Sequence, residues 1–191
     1  MSPKTAKQAF TLAVLLVVLA AAAATAGAQD RPFYVEGNIG RTSVDDLEGA
    51  SINESTTGLR LATGYRFSKW FGVGGAYVNL GTIKSSIDVG GGTVPVKASA
   101  DGFEVTLNGR VPLTEALALT AHAGILWWAG DTSVGGVAAS DSGNDPTWGV
   151  GVEYAFGPTF VGTAGWRRFS VDNVDAGTVW LGAMVRFGEA D

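Results

Sequence analysis

From residue 33 onwards, apolar side chains alternate along the chain with small or polar side chains. A period of two residues is typical of β-strands whose two faces lie in different surroundings. Eight segments follow this pattern, and none shows the sustained apolar stripe that indicates an amphipathic helix. We predict strands over residues 33–41, 58–67, 70–83, 100–111, 116–129, 147–156, 159–171 and 177–187.

The lengths of these strands and of their connections favour a membrane. The strands have about nine to fourteen residues, against about five or six in soluble domains, and a tilted strand needs about nine to eleven to cross a bilayer. Short and long connections alternate, as in outer-membrane barrels with periplasmic turns and extracellular loops. The short connections are 68–69, 112–115 and 157–158, and the longer ones are 42–57, 84–99, 130–146 and 172–176. The sequence thus predicts an all-β fold, an eight-stranded antiparallel up-and-down transmembrane β-barrel.

Within each strand, one of the two alternating phases is apolar and the other is small or charged. In the fifth strand the apolar phase contains Leu119, Ile125 and Trp127. A soluble barrel would reverse the two faces, but its outer surface would need more Lys, Glu and Gln than the polar phase contains. We therefore predict that the apolar phase contacts lipid and that charges of both signs pair inside a narrow lumen. The predicted lumen ion pairs involve Glu36, Arg60, Glu104, Arg110, Glu153, Arg167 and Arg186.

Aromatic residues collect near the two ends of the predicted strands, and Val, Leu and Ala lie between them. Two such rings are typical of the aromatic belts that membrane barrels place at the two membrane–water interfaces. Aromatic residues packed in a core would not explain their position at strand ends. The predicted interface aromatics are Phe67, Phe71, Phe156, Phe160 and Phe187 near the short turns, and Tyr77, Trp127, Trp148 and Trp166 near the long loops.

The first 28 residues differ from the rest of the chain. Two lysines precede an almost continuous run of Ala, Leu and Val, which ends in the small residues Ala-Gly-Ala. A basic head, an apolar middle and a small-residue exit predict a secretory signal peptide, cleaved between Ala28 and Gln29. The barrel domain would then occupy residues 29–191. An uncleaved transmembrane anchor is the alternative, because the apolar run approaches spanning length.

Composition excludes several classes of function. The chain has 191 residues and no cysteine, which excludes disulfide scaffolds, thiolate metal sites and cysteine nucleophiles. Its formal net charge of -5 argues against a nucleic-acid partner, because phosphates require a basic face. Together with the export signal, these features predict a protein of the bacterial outer membrane, surrounded by outer-membrane lipid and lipopolysaccharide.

Three segments carry a resemblance to a known family. Gly-Tyr-Arg-Phe-Ser-Lys-Trp-Phe at 64–71 and Ala-Tyr-Val-Asn-Leu-Gly at 76–81 resemble the second hairpin of outer-membrane protein A-like transmembrane barrels. Residues 111–114 and 123–127 resemble that family's third hairpin, and residues 179–187 resemble its final strand. The resemblance implies that the barrel assembly machinery recognises this last strand. Only residues 188–191 follow it, so we expect no peptidoglycan-binding domain and no tethering to the cell wall.

The sequence offers little that could perform chemistry. His122 is the only histidine, and its phase places it in the lumen rather than facing lipid. Asp131, Asp141 and Asp145 match no calcium-loop spacing and are expected to be solvated loop acids. The glycines at 90–92 are expected to form a loop tip, not a phosphate site. We therefore predict no catalytic residue, no cofactor and no metal.

Two functions remain open for a barrel of this kind. In the first, the Arg and Glu side chains plug the lumen, and the protein has a structural role and presents acidic loops to an extracellular ligand or host surface. In the second, exchange of ion-pair partners opens a narrow porin-like channel for small solutes or ions. A lipid-modifying outer-membrane enzyme is a more distant alternative, because it would need a base and a nucleophile that face the lipid.

Overall fold

The computed structural model describes residues 31–44, 55–89, 92–171 and 174–188. Within these residues, eight strands pair in sequence order, each antiparallel to the next, and β1 pairs with β8 to close the barrel. The predicted eight-stranded antiparallel barrel is confirmed. No helix in the described ranges is long and apolar enough to span a membrane. The strands are β1 (Phe33–Val44), β2 (Ser55–Arg66), β3 (Phe71–Val89), β4 (Gly92–Pro112), β5 (Leu117–Val134), β6 (Val137–Ala155), β7 (Phe160–Val171) and β8 (Val174–Phe187).

Burial alternates along the strands with the predicted period of two. In β2, Leu61 is 61% exposed, whereas its neighbour Ala62 is 3% exposed. In β5, Ile125 is 43% exposed and Leu126 is 1% exposed. Because successive side chains of a strand point to opposite faces, one set covers the outside of the barrel and the other fills its interior. The outside is apolar, as is expected of a surface in contact with lipid acyl chains.

Strands β3 to β6 extend farther from the turn end than the sequence predicted. Pairing of β3 with β4 continues to Val89 and Gly92, and pairing of β5 with β6 continues to Val134 and Val137. The prediction that 84–99 and 130–146 are loops is therefore wrong. Their Gly, Ser and Asp content is typical of loops, but cross-strand pairing carries the hairpins through these segments. Gly135 and Gly136, with φ of 59° and 90°, form the two-residue turn, and positive φ at both positions is what a type I′ hairpin turn requires.

The extended part leaves the barrel at an irregularity in β3. Pairing of β2 with β3 ends at Leu59 and Asn79, and the register of β3 with β4 shifts between Asn79 and Thr82. Gly81 lies within this shift at a φ of 83°, where a Cβ atom would come 2.5 Å from the carbonyl oxygen of Thr57. A bulge of this kind bends a strand and increases its twist. At the other edge of the extended part, β6 pairs with β7 only from Thr147 onwards.

Most of the predicted interface aromatics lie on the outside of the barrel. Trp166 is half-buried and packs edge-on against Trp148, with ring centroids 5.1 Å apart. Tyr77 and Phe103 are register partners and pack with ring centroids 5.4 Å apart. The exposed members are Phe67, Phe71, Tyr77, Trp127, Trp148, Phe156, Phe160 and Phe187. That these two groups mark the membrane–water interfaces stays a prediction.

Candidate functional site in the barrel lumen

The most buried charge in the barrel is the carboxylate of Glu104, on β4. The residue is 1% exposed, and its Oε2 accepts hydrogen bonds from Arg60 Nε at 3.0 Å and Arg167 Nη1 at 2.6 Å. Its Oε1 accepts a third bond from the hydroxyl of Thr147 at 2.7 Å. A carboxylate removed from water needs this degree of pairing, because desolvation of an isolated charge is costly.

Glu36 extends this group towards β1. Its Oε2 lies 3.4 Å from Arg60 Nη1, and its Oε1 accepts a bond from Asn38 Nδ2 at 3.0 Å. Arg60 thereby bridges the two carboxylates of Glu36 and Glu104. We call Glu36, Arg60, Glu104 and Arg167 the central layer. It contains two carboxylates and two guanidinium groups, so its formal charges balance.

His122 and Gly149 show how local sequence shapes this layer. Gly149 is the register partner of both His122 on β5 and Arg167 on β7. A Cβ atom at position 149 would lie 2.5 Å from His122 Nε2, so a glycine is needed where the imidazole crosses this strand. Arg167 Nε donates to His122 Nε2 at 2.7 Å, so this ring nitrogen acts as an acceptor. His122 therefore faces the lumen and supports the position of Arg167.

A second group of charges lies closer to the turn end of the barrel. Glu153 accepts bonds from Arg66 at 2.7 Å, Arg110 at 3.1 Å and Arg186 at 2.9 Å. We call these four residues the turn-side layer. Three guanidinium groups share one carboxylate here, so the layer carries an excess of positive charge that the central layer does not.

The structure thus brings all seven sequence-predicted lumen residues into these two layers. Arg66, which the alternation places on the inward phase but which is not among the predicted ion pairs, also belongs to them. Arg66 lies six residues after Arg60 on β2, and this even spacing places both side chains on the same face of the strand. The spacing is therefore the sequence signal for its inward position. All eight members contact an opposite charge: Glu36, Arg60, Arg66, Glu104, Arg110, Glu153, Arg167 and Arg186.

Apolar side chains also fill part of the lumen next to the central layer, which the sequence analysis did not predict. Trp128 and Phe169 are 9% and 2% exposed and pack with Leu126 and Val78. The sequence does carry a signal for this packing. Trp128 follows the outward-facing Trp127 and therefore belongs to the inward-facing phase of β5. We call this group the apolar layer, and its members are Ala62, Ala76, Val78, Leu126, Trp128 and Phe169.

Small cavities remain between these side chains. A cavity of about 50 Å³ extends from the central layer to the 67–70 turn, and one of about 30 Å³ lies towards the loop end. Arg60, Arg167 and Trp180 line both of them. Arg60, Arg167 and Trp180 therefore lie between the two cavities.

The three candidate calcium acids lie on strands, which corrects their expected place in a loop. Asp145 accepts a bond from Trp128 Nε1 at 2.6 Å, and Asp131 accepts one from the hydroxyl of Ser140 at 2.7 Å. Asp141 accepts a bond from a neighbouring backbone amide. No group of three or more His, Cys, Asp or Glu residues that could hold a metal ion occurs in the described ranges.

Removal of the Glu104 charge is expected to destabilise the barrel strongly. Glu104→Gln would leave Arg60 and Arg167 buried without their shared carboxylate, a change that costs about 3–5 kcal/mol for buried pairs. Glu36→Gln is the matched control, because its ion pair is longer, and about 1 kcal/mol is expected from a typical lost hydrogen bond. Equilibrium unfolding in phospholipid vesicles measures both. Equal losses in the two variants would contradict the central position of Glu104.

Comparison with known proteins agrees with this architecture. The model of the outer membrane protein beta-barrel domain matches residues 11–187. A search of the curated proteins finds no match. The similar solved structures include Ail, the attachment invasion locus protein of Yersinia pestis, with 21% identity and a TM-score of 0.62 over 83% of this chain and 100% of that chain.

Two further solved structures share the fold. Neisserial surface protein A has 17% identity and a TM-score of 0.60 over 81% of this chain and 97% of that chain. The N-terminal barrel of Pseudomonas aeruginosa OprF has 13% identity and a TM-score of 0.56 over 83% of this chain and 100% of that chain. With a domain model that covers most of the sequence, the protein belongs to the outer membrane protein β-barrel domain family and is a protein of the outer membrane.

Proposed function

We propose that this protein is a structural and surface-interaction protein of the outer membrane, with a lumen plugged by side chains. The observation that supports this function best is the filling of the lumen. The central, turn-side and apolar layers occupy the interior, and the two cavities between them hold only about 50 and 30 Å³. An eight-stranded barrel has an interior just wide enough for side chains to fill. A protein with such an interior acts through its outer surface.

The proposed interaction surface is the loop end of the barrel. Strands β3 to β6 project there, and residues 137–146 of β6 alone span about 30 Å at the usual rise per residue. Segments 42–57, 84–99, 130–146 and 172–176 contain ten acidic and two basic residues. Such a strongly negative end attracts basic partners and repels polyanions. We therefore infer a partner with a basic protein surface.

One of the similar structures was determined with a ligand whose charge is opposite to that of the inferred basic partner. Ail of Yersinia pestis was crystallised with the heparin analogue sucrose octasulfate, which is a polyanion. The acidic loop end of this chain has the opposite preference by charge. The remaining partners are also proposals: lipopolysaccharide around the barrel, and the barrel assembly machinery at β8, whose Leu181 and Phe187 face outwards. Cleavage between Ala28 and Gln29 lies outside the described residues and is proposed on the sequence pattern alone.

A basic partner should bind in a salt-dependent way. We expect the protein in nanodiscs to bind an immobilised lysine-rich peptide and to lose most of this binding between about 50 and 300 mM salt, because exposed charges are screened. The double variant Asp131→Asn and Asp141→Asn should weaken binding. Glu115→Gln, which removes one exposed negative charge at the turn end, is the control and should not. Tighter binding to heparin than to the peptide would contradict the proposal.

A narrow channel is the second candidate, and one observation favours it. The same three side chains, Arg60, Arg167 and Trp180, line both cavities. Movement of these side chains would join the two cavities. A lipid-modifying activity has less support, because His122 faces inwards and is bonded to Arg167. We propose that the protein is not an enzyme, and mass spectrometry of lipid A from cells with and without it tests this.

Planar-bilayer recordings distinguish the plug from the channel. We expect no conductance from the wild type, and none from Glu104→Ala or Arg167→Ala, because the turn-side and apolar layers still fill the lumen. Lys97→Ala, on the exposed part of β4, serves as the matched variant outside the lumen. Heat-modifiable migration on a gel checks that each variant has folded. Conductance in the wild type, or its appearance only in the two lumen variants, would support the channel instead.

A further inference from the structure

We propose that the turn-side cavity is a binding site for a small oxyanion, of the phosphate or sulfate class. The charged residues that line it are five cations and two carboxylates. Glu104, which does not line the cavity, pairs with Arg60 and Arg167, so the excess of positive charge lies in the turn-side layer and at Lys69. An anion among the cations would restore neutrality at the point where the excess lies. The charged lining residues are Glu36, Arg60, Arg66, Lys69, Arg110, Glu153 and Arg167.

The turn-side layer supplies the main source of this charge. Glu153 lines the cavity and is bonded to Arg66, Arg110 and Arg186. One carboxylate offers about four lone-pair positions, whereas three guanidinium groups offer fifteen N–H donors. The single carboxylate cannot accept from all of these donors, and Arg186 Nε is buried without a hydrogen-bond partner. Arginine is well suited to an oxyanion, because its planar donors match the oxygens of phosphate and carboxylate groups.

Unpartnered donors in the lumen indicate the same ligand chemistry. Three buried side-chain polar atoms have no hydrogen-bond partner in the described part of the chain, and two of them are nitrogen donors: Trp180 Nε1 and Arg186 Nε. Trp180 lines the cavity, and Arg186 is bonded to the Glu153 carboxylate at its wall. Tyr34 also lines the cavity. Its hydroxyl oxygen accepts a hydrogen bond from Asn108 Nδ2, so the hydroxyl proton points away from Asn108. Unpaired buried donors are costly and favour an acceptor ligand.

Size and access are consistent with a free anion. A volume of about 50 Å³ has room for three or four water molecules, or for one small oxyanion. Ser68 and Lys69 of the turn line its outer end, so it reaches the side that we assign to the periplasm. Lys69 is exposed, with its Nζ 5.1 Å from the ring centre of Trp70. It is placed to attract anions at the entrance. The site does not depend on whether the lumen conducts.

Titration of the folded full chain with inorganic phosphate tests the site. The protein is placed in maltoside micelles, which contain no phosphate group, and chloride keeps the ionic strength constant. The readout is the indole N–H signal of Trp180 in NMR spectra, assigned with Trp180→Phe. We expect a saturable shift. Lys69→Gln should weaken binding about two- to fivefold, as for one exposed charge pair, and Arg110→Gln at least about tenfold, as for a lost bond to a charged group.

The controls separate this site from general charge effects. Lys97→Gln removes a positive charge far from the cavity and should leave the affinity unchanged. If Arg110→Gln does not fold, the wild type and Lys69→Gln decide the question alone. A linear response to phosphate, or equal weakening by Lys69→Gln and Lys97→Gln, would overturn the proposal. So would a shift that appears only when phosphatidylglycerol is added, because the ligand would then be a lipid headgroup.

Discussion

Hydrocarbon offers no hydrogen-bond partner, so every backbone N–H and C=O group within a bilayer must be paired by the protein itself. This chain meets that requirement by closing β1 onto β8, which leaves no open edge within the barrel. Closure also fixes the two faces of each strand, because side chains alternate between the outside and the inside. Outward residues such as Leu61 meet lipid, and inward residues such as Ala62 share a narrow interior. The exposed apolar surface and the filled lumen are two results of one constraint.

The narrow interior then determines what the inward residues must be. Charges are accepted there only in pairs, as for Glu104 with Arg60 and Arg167, because an unpaired buried ion is costly. Pairing is balanced in the central layer but not around Glu153, where three arginines converge. The basic interior near the turns and the acidic segments at the other end give the molecule a strong charge asymmetry along its axis. The proposed oxyanion site and the proposed basic partner lie at opposite ends of this asymmetry.

The strand pattern of this protein was predictable because its cause is local. Alternation along one strand decides which residues face outwards, and it identified all eight strands and the inward phase of every predicted lumen charge. The ends of the strands beyond the barrel were not predictable in this way. Residues 130–146 resemble a loop in composition, but whether they pair depends on the register between β5 and β6. The partners of the lumen charges could not be predicted either, because they depend on contacts between strands. Glu104 and Arg167, for example, come from strands that are not adjacent.

The most direct test of the account compares two consecutive residues of β5. Trp127 is 48% exposed and Trp128 is 9% exposed, so they should face lipid and lumen respectively. Two variants, each with one of these residues as the sole tryptophan and phenylalanine at the other tryptophan positions, are folded into vesicles of lipids with brominated acyl chains. The account predicts strong quenching of Trp127 fluorescence and little quenching of Trp128. Equal quenching, or stronger quenching of Trp128, would contradict it.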